Sequence, residues 1–422
     1  SSAAFFMSRI TLLLILLSSV SQAQDIDFLK SRIDSLCAPR YHGRGYVENG
    51  DVKAASFLQR EITAIGLSKV QDTSTQPFEL GVNTFPGKMS VSFDSQELKT
   101  GVDYIIDPRS MGLEGEYKTF KFKDKWIDDR KKLFKIRNNP KLGERAAVID
   151  LRESSEEMKS FANRIGENPL DVPAYVILTP DKLTWSIARR TVDFALVRAQ
   201  TDHLEKDPKS VTLQIDQEWI SDYSAQNVIG MIPGESDSMI VFTAHYDHLG
   251  RMGKDIYIPG ANDNASGSAM LLDLAKDYVG SKPKHTLVFI WFAGEEAGLV
   301  GSRYFVDNPM ISLEKIKFLI NLDLMGDAGK GITAVNGKIF TDHFDQLVEI
   351  NTKNSLLDEV KARGVAANSD HFPFFEKGVP CFFIYTRGEY MHYHDVNDKP
   401  ENLTLVKYGE TFQLIKLFAE SL

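Results

Sequence analysis

The chain has 422 residues, 43% hydrophobic and 25% charged, a composition that excludes a disordered or membrane-embedded chain and fits an ordinary globular one. Its formal charge of −9 argues against a nucleic-acid binder, which needs a basic face to neutralise phosphates. At this length single cores usually split, so one large domain with an insertion, or two domains, is expected.

Near the start, Met7-Ser-Arg9 leads into an apolar run from Ile10 to Leu17 and then into Ser18-Ser-Val-Ser21-Gln-Ala23-Gln24. A charged start, a short apolar stretch and a small-x-small site are the pattern of a secretory signal over residues 1–23, with residues 1–6 reading as material ahead of the natural start. The run is too short for a mature transmembrane helix, which needs about 20 apolar residues. Export to a periplasmic or extracellular space follows as the expectation. Such a space would permit Cys37 and Cys381 to pair, although neither has the neighbours of a metal-binding or nucleophilic cysteine, and two unpaired buried residues remain the plainer reading.

Residues 51–65 read as a helix stopped at Gly66, the main element of an N-terminal piece spanning 24–88. From 89 to 221 short strands at 146–150, 174–178, 194–197 and 211–215 are separated by charged loops. The lysine- and aspartate-rich stretch 118–141 holds no catalytic cluster, so 89–221 is expected to be an inserted accessory α/β domain. Beyond it, residues 222–422 show the clearest pattern. Buried strands are expected at 239–244, 285–292, 316–322 and 379–385, with helices at 265–278 and 403–422. Near-continuous apolar strands alternating with helices indicate an α/β fold, with a mostly parallel central sheet covered on both faces.

In such sheets ligands collect at the carboxyl ends of the strands. His245 and Asp247 follow the first of these strands, Glu295-Glu296 the second and Asp323 the third; His394 follows the last after a short loop. Asp263 lies just ahead of a helix, where an aspartate is ordinarily a cap. A lone histidine is more often structural, but Asp247 two residues on can fix its tautomer. An adjacent glutamate pair between Trp291-Phe292 and Leu299-Val300 is costly unless its charges meet cations; one member can ligate while the other acts as a base. Imidazoles and carboxylates without thiolates are a donor set that suits catalytic zinc.

Six segments in this order resemble the di-zinc exopeptidase family of aminopeptidases S and Y and glutamate carboxypeptidase: His245-Tyr-Asp247-His248, Gly260-Ala-Asn-Asp263-Asn-Ala-Ser-Gly267, Gly294-Glu295-Glu296, Asn321-Leu-Asp323, Ser369-Asp370-His371 and Tyr393-His394. The likeness covers about 200 C-terminal residues and, more loosely, Gly43-Arg-Gly45 to Gly66. It implies the zinc-exopeptidase, phosphorylase/hydrolase-like fold and two zinc ions per chain. His245 and Asp323 would hold one ion, Glu296 and His394 the other, and Asp263 would bridge them. Glu295 would be the general base, Asp247 the residue that holds His245, and the inserted segment a protease-associated domain. Asp370, Arg387, His392 and Tyr393 are candidate substrate contacts.

The implied activity is hydrolysis of a peptide substrate by an exported exopeptidase, with an aminopeptidase preferred because paired cations offer a free amine a place to bind. Asp395 and Lys399 stand where many relatives carry threonine, which puts the shape of the substrate pocket in doubt. A glutaminyl cyclase of the same fold should dispense with some of these ligands, and an inactive binding homologue should have lost a ligand or Glu295. Neither loss is seen.

Overall fold

The computed structural model describes residues 25–422 apart from positions 203 and 205, so the expected signal segment lies outside the described residues. The main sheet has eight strands: β1 (Thr75–Thr84), β2 (Glu218–Ile232), β3 (Ser236–His245), β4 (His285–Phe292), β5 (Ile316–Leu322), β6 (Ile332–Val335), β7 (Val360–Ala362) and β8 (Cys381–Thr386), in the spatial order β1-β2-β4-β3-β5-β8-β6-β7. Its centre, β4-β3-β5-β8, is parallel, and antiparallel pairs attach β2 to one side and β6 to the other.

The apolar runs are continuous because both faces are covered. In β3, Ile240, Phe242 and Ala244 join one core with Leu287, Phe289 and Trp291 of β4, while Met239 and Val241 join a second with Val288, Ile290 and Phe292. Alternate side chains of a strand point to opposite faces, so each run feeds two layers. The first face is covered by α1 (Asp25–Leu36), α2 (Gly50–Ile65), α3 (Gly267–Tyr278) and the closing helix, through residues such as Leu29, Leu58, Leu271 and Phe418. The second is covered by shorter helices that contribute Phe305 and Phe374. The expected α/β class with a mostly parallel core is what forms. The closing helix runs over Tyr408–Ser421 rather than from residue 403, because Leu405 and Lys407 take left-handed backbone angles that interrupt it.

A second eight-stranded sheet is built from strands between Met89 and Ile215. Its parallel run comprises Leu113–Lys121, Ala146–Asp150, Ala174–Thr179 and Ala195–Gln200. One face packs on helices through Met158 and Ala162; the other shares a core with Leu249, Met252 and Ile258, which lie between β3 and α3 in the chain. The boundary expected at residue 221 falls inside β2, whose exposed polar residues Glu218 and Asp222 obscure it in the sequence. Cys37 and Cys381 are both buried and unpaired. Among the described residues no helix is long and apolar enough to cross a membrane.

Candidate metal centre

Four of the central strands open into one crevice. β3 ends at His245, β4 leads into Gly294-Glu295-Glu296, β5 leads into Asp323, and the loop after β8 carries His394. Asp263 enters from the turn Ala261–Ser266 ahead of α3. That turn begins at Gly260 with φ 65°, where a Cβ would collide with the Asp263 carbonyl, the His248 ring and the Arg44 guanidinium. Only glycine lets the chain pass so close.

Asp263 stands at the centre of the cluster. Its Oδ1 lies 3.3 Å from His245 Nε2 and its Oδ2 lies 3.0 Å from His394 Nε2. His245 Nε2 is also 3.4 Å from Asp323 Oδ1, and His394 Nε2 is 3.3 Å from Glu296 Oε2. One carboxylate thus separates two imidazoles, each of which has a carboxylate of its own. The five predicted ligands are brought together.

Asp247, Asp263, Glu295, Glu296, Asp323 and Asp370 crowd this buried region, and among the described residues no lysine or arginine is paired with any of them. Burial pushes the Glu295 carboxyl well above the usual range, and Asp370, Glu296 and Asp323 add to this against the opposing pull of His245. Burial would lower His394, but Glu296 and Asp263 hold it up at about 11. His245 is likewise raised by Asp323 and Glu295 despite its burial. Packed carboxylates that drag protons onto neighbouring imidazoles are short of positive charge, which is the electrostatic condition of a cation site. Two sets place their ligand atoms within 4.8 Å of one another: His245, Glu295 and Asp323, and His248, Asp263 and Glu296.

Supporting contacts fix these groups. The Asp247 carboxylate accepts from the backbone N–H groups of Glu295 at 3.2 Å and Glu296 at 3.3 Å. Its Oδ1 is 3.8 Å from His245 Nδ1, whereas its own main-chain oxygen is only 3.1 Å away. Asp247 therefore orients the glutamate pair with its side chain and His245 with its backbone. A chain of hydrogen bonds from Thr243 through Asn321 and Ser369 ends on Asp323 Oδ2. Asp398 accepts from the backbone N–H groups of Asn262 and Asp263 and from the Tyr390 hydroxyl. Asp370 is wholly buried, and burial lifts its carboxyl to about 7.

Several supporting residues gave no signal of their own role in the sequence. His248 Nδ1 lies 2.7 Å from Glu296 Oε1; the only sign of it was a second histidine three places after His245. Arg44, fully buried, donates to the carbonyls of Leu36, Tyr246, Pro259, Gly260 and Asp263, tying the first helix to the Asp263 turn. Of the candidate substrate contacts, Tyr393 is half-exposed and stacks on His394 at 3.8 Å between ring centroids. His392 lies 3.6 Å from Asp395. Arg387 is committed elsewhere, to Glu359 and to the Lys330 carbonyl, and the structure does not bring it to the cluster.

Residues 227–419 match the model of peptidase family M28. That stretch contains all five clustered ligands and Glu295, and the resemblance read from the motifs is borne out. Among curated proteins the chain is similar to a probable leucine aminopeptidase of Trichophyton verrucosum, 34% identical over 171 residues that cover 37% of this chain and 45% of that protein. Leucine aminopeptidase 1 of Arthroderma gypseum is 31% identical over 178 residues, covering 38% and 48%. The chain spans about half the length of the curated relatives it matches. Among solved structures, a zinc aminopeptidase from Bacillus subtilis covers 94% of this chain with 94% of its own, at TM-score 0.68 and 18% identity. The overall fold, inserted sheet included, is therefore shared.

Proposed function

We propose that the chain is a zinc-dependent exopeptidase, and an aminopeptidase in preference to a carboxypeptidase. The observation that carries this is the Asp263 carboxylate set between the Nε2 atoms of His245 and His394 at 3.3 and 3.0 Å. Imidazole and carboxylate donors fit zinc, and the surplus of buried negative charge fits two cations rather than one. His245 and Asp323 would hold one ion, Glu296 and His394 the other, and Asp263 both. Zinc bound there lowers the pKa of water and polarises a carbonyl oxygen.

The remaining chemistry belongs to the chain. Glu295 would take the proton of the attacking water and return it to the leaving amine, as a carboxylate placed beside the reacting water can. Asp247 holds the backbone of both glutamates so that neighbouring side chains divide the work. His248 holds Glu296 Oε1, leaving Oε2 on the side of His394, where the pair would hold an ion. The half-exposed Tyr393 ring is the candidate wall for the substrate's first residue. Residues 7–24 support export, and the sheet between Met89 and Ile215 is taken as an accessory domain. The names of the curated relatives make a leucyl substrate the one to assay first.

The test is hydrolysis of leucyl-p-nitroanilide by the zinc-loaded chain beside its N-acetylated counterpart. We expect the free amine to be cleaved, the blocked one spared, and activity to vanish with chelator and return with zinc. Equal cleavage of both would remove the aminopeptidase assignment. Failure of the folded, zinc-loaded chain to cleave any peptide or nitroanilide would remove the exopeptidase.

A further inference from the structure

The ligands of the proposed centre differ in what holds them. The His245, Glu296 and Asp323 side chains take their supporting contacts from Asp247, His248 and Ser369, and the backbone of the turn that carries Asp263 takes its own from Asp398 and Arg44. His394 takes its partner from the inserted sheet. Its Nδ1 lies 2.8 Å from the main-chain oxygen of Trp185, and the Trp185 N–H donates back to the His394 carbonyl at 3.0 Å.

The surrounding contacts make this a clamp. Lys182 donates to the carbonyls of Met391 at 2.6 Å and Tyr393 at 3.0 Å, and its ammonium is 2.7 Å from the Asp395 carboxylate. Trp185 is itself fixed, its ring buried near Phe85 and its Nε1 donating to the Ile106 carbonyl at 2.8 Å. Upstream, the Asp181 carbonyl accepts from Gln200 at 2.8 Å. The strap therefore hangs from two strands of the accessory sheet. The loop it grips needs an outside hold: Met391 is 76% and Tyr393 51% exposed, and His394 sits at φ 56°, a left-handed angle few non-glycine residues adopt.

We propose that the strap 182–185 of the accessory sheet is a positioning element of the proposed metal centre, with Lys182 and Trp185 acting through His394. A carbonyl oxygen has no proton to give, so Nδ1 must carry the hydrogen. Nε2 is then the nitrogen left to offer a lone pair toward Asp263 and Glu296. The same hydrogen bond fixes the ring plane, while Lys182 keeps the loop from swinging away. The accessory sheet thus supplies half the definition of one ligand instead of merely walling the crevice. This role rests on the reading of His394 as a zinc ligand.

Two variants test it in the full chain, with Lys182→Arg as the conservative control. Lys182→Met removes the loop contacts from an exposed position, and Trp185→Phe keeps the buried ring but loses the Ile106 anchor. By competition with a zinc-binding dye, both should hold one of two zincs about 10- to 100-fold more weakly, with the other unchanged. Lys182→Arg should recover most of the loss, and kcat should fall more than KM rises. Hydrogen exchange of the amides between residues 388 and 399, measured without metal, should be faster in Lys182→Met. Unchanged exchange, or unchanged zinc affinity in both variants, overturns the proposal. A wild-type chain that takes up no zinc would instead overturn the functional reading, and the exchange measurement would still decide whether the strap holds the loop.

Discussion

The two eight-stranded sheets of this chain are alike in build and opposite in what they do with charge. Both have neighbouring parallel strands buried on two faces, and both end them in loops. In the accessory sheet the strand Ala146–Asp150 ends on a carboxylate that meets Lys121 and Arg152, each at 2.8 Å. In the main sheet the equivalent ends present His245, the glutamate pair and Asp323, and among the described residues only imidazoles, with no lysine or arginine, answer the carboxylates. Parallel strands supply a crevice in either case. Chemistry belongs where the charge has been left uncompensated.

The sharpest way to break this contrast is to remove one carboxylate from each sheet. Glu295→Gln should lower kcat by about 10²- to 10⁴-fold while metal analysis finds the zinc content unchanged. Asp150→Asn should leave kcat within about twofold, since partly exposed ion pairs of this kind contribute only about 0–1 kcal/mol of stability. Near-normal turnover by the Glu295 variant would remove the assignment of the base.

Arg44→Met probes how the main crevice is braced. It deprives five carbonyl oxygens of a donor in a fully buried place and should cost on the order of 3–5 kcal/mol in urea unfolding. A loss below about 1 kcal/mol would show that the Asp263 turn stands without it.

Asp51, buried in the first turn of α2 and accepting from the Tyr223 hydroxyl, is raised by burial to about 7 from an ordinary value of 3.8. Across that window the folded chain keeps a proton that the unfolded chain releases, so stability falls as pH rises from about 4 to 7. Asp51→Asn keeps the acceptor and abolishes the titration. Its unfolding free energy should gain on wild type by on the order of 2–4 kcal/mol between pH 5 and pH 8. Parallel curves for the two proteins would contradict this. The smallest effect is expected in the accessory core, where Ile177→Val should cost about 0.5–1.5 kcal/mol with kcat unchanged.

What the sequence made legible follows the same division. His285–Phe292 and Ile316–Leu322 were visible because a strand buried on both faces must be apolar throughout. β1 and β2 were not, since Gln76, Glu79, Asn83, Glu218, Asp222 and Gln226 break the run in the edge strand and its neighbour. The ligands were readable because strand ends place them and their order is a family pattern. His248 had only a neighbouring histidine to announce it. Lys182 and Trp185 had nothing, because the contact that gives Trp185 its part is a main-chain oxygen reaching a ring 209 positions away. No local pattern encodes a backbone atom's partner.

Metal stoichiometry tests the central claim most directly. Purified full-length chain and its Asp263→Ala variant would be equilibrated with zinc, freed of excess and analysed for metal per chain. Two zinc ions in the wild type and at most one in the variant are predicted, because a single carboxylate serves both imidazoles. Equal zinc content in the two proteins, or a wild type that retains none, would contradict the account.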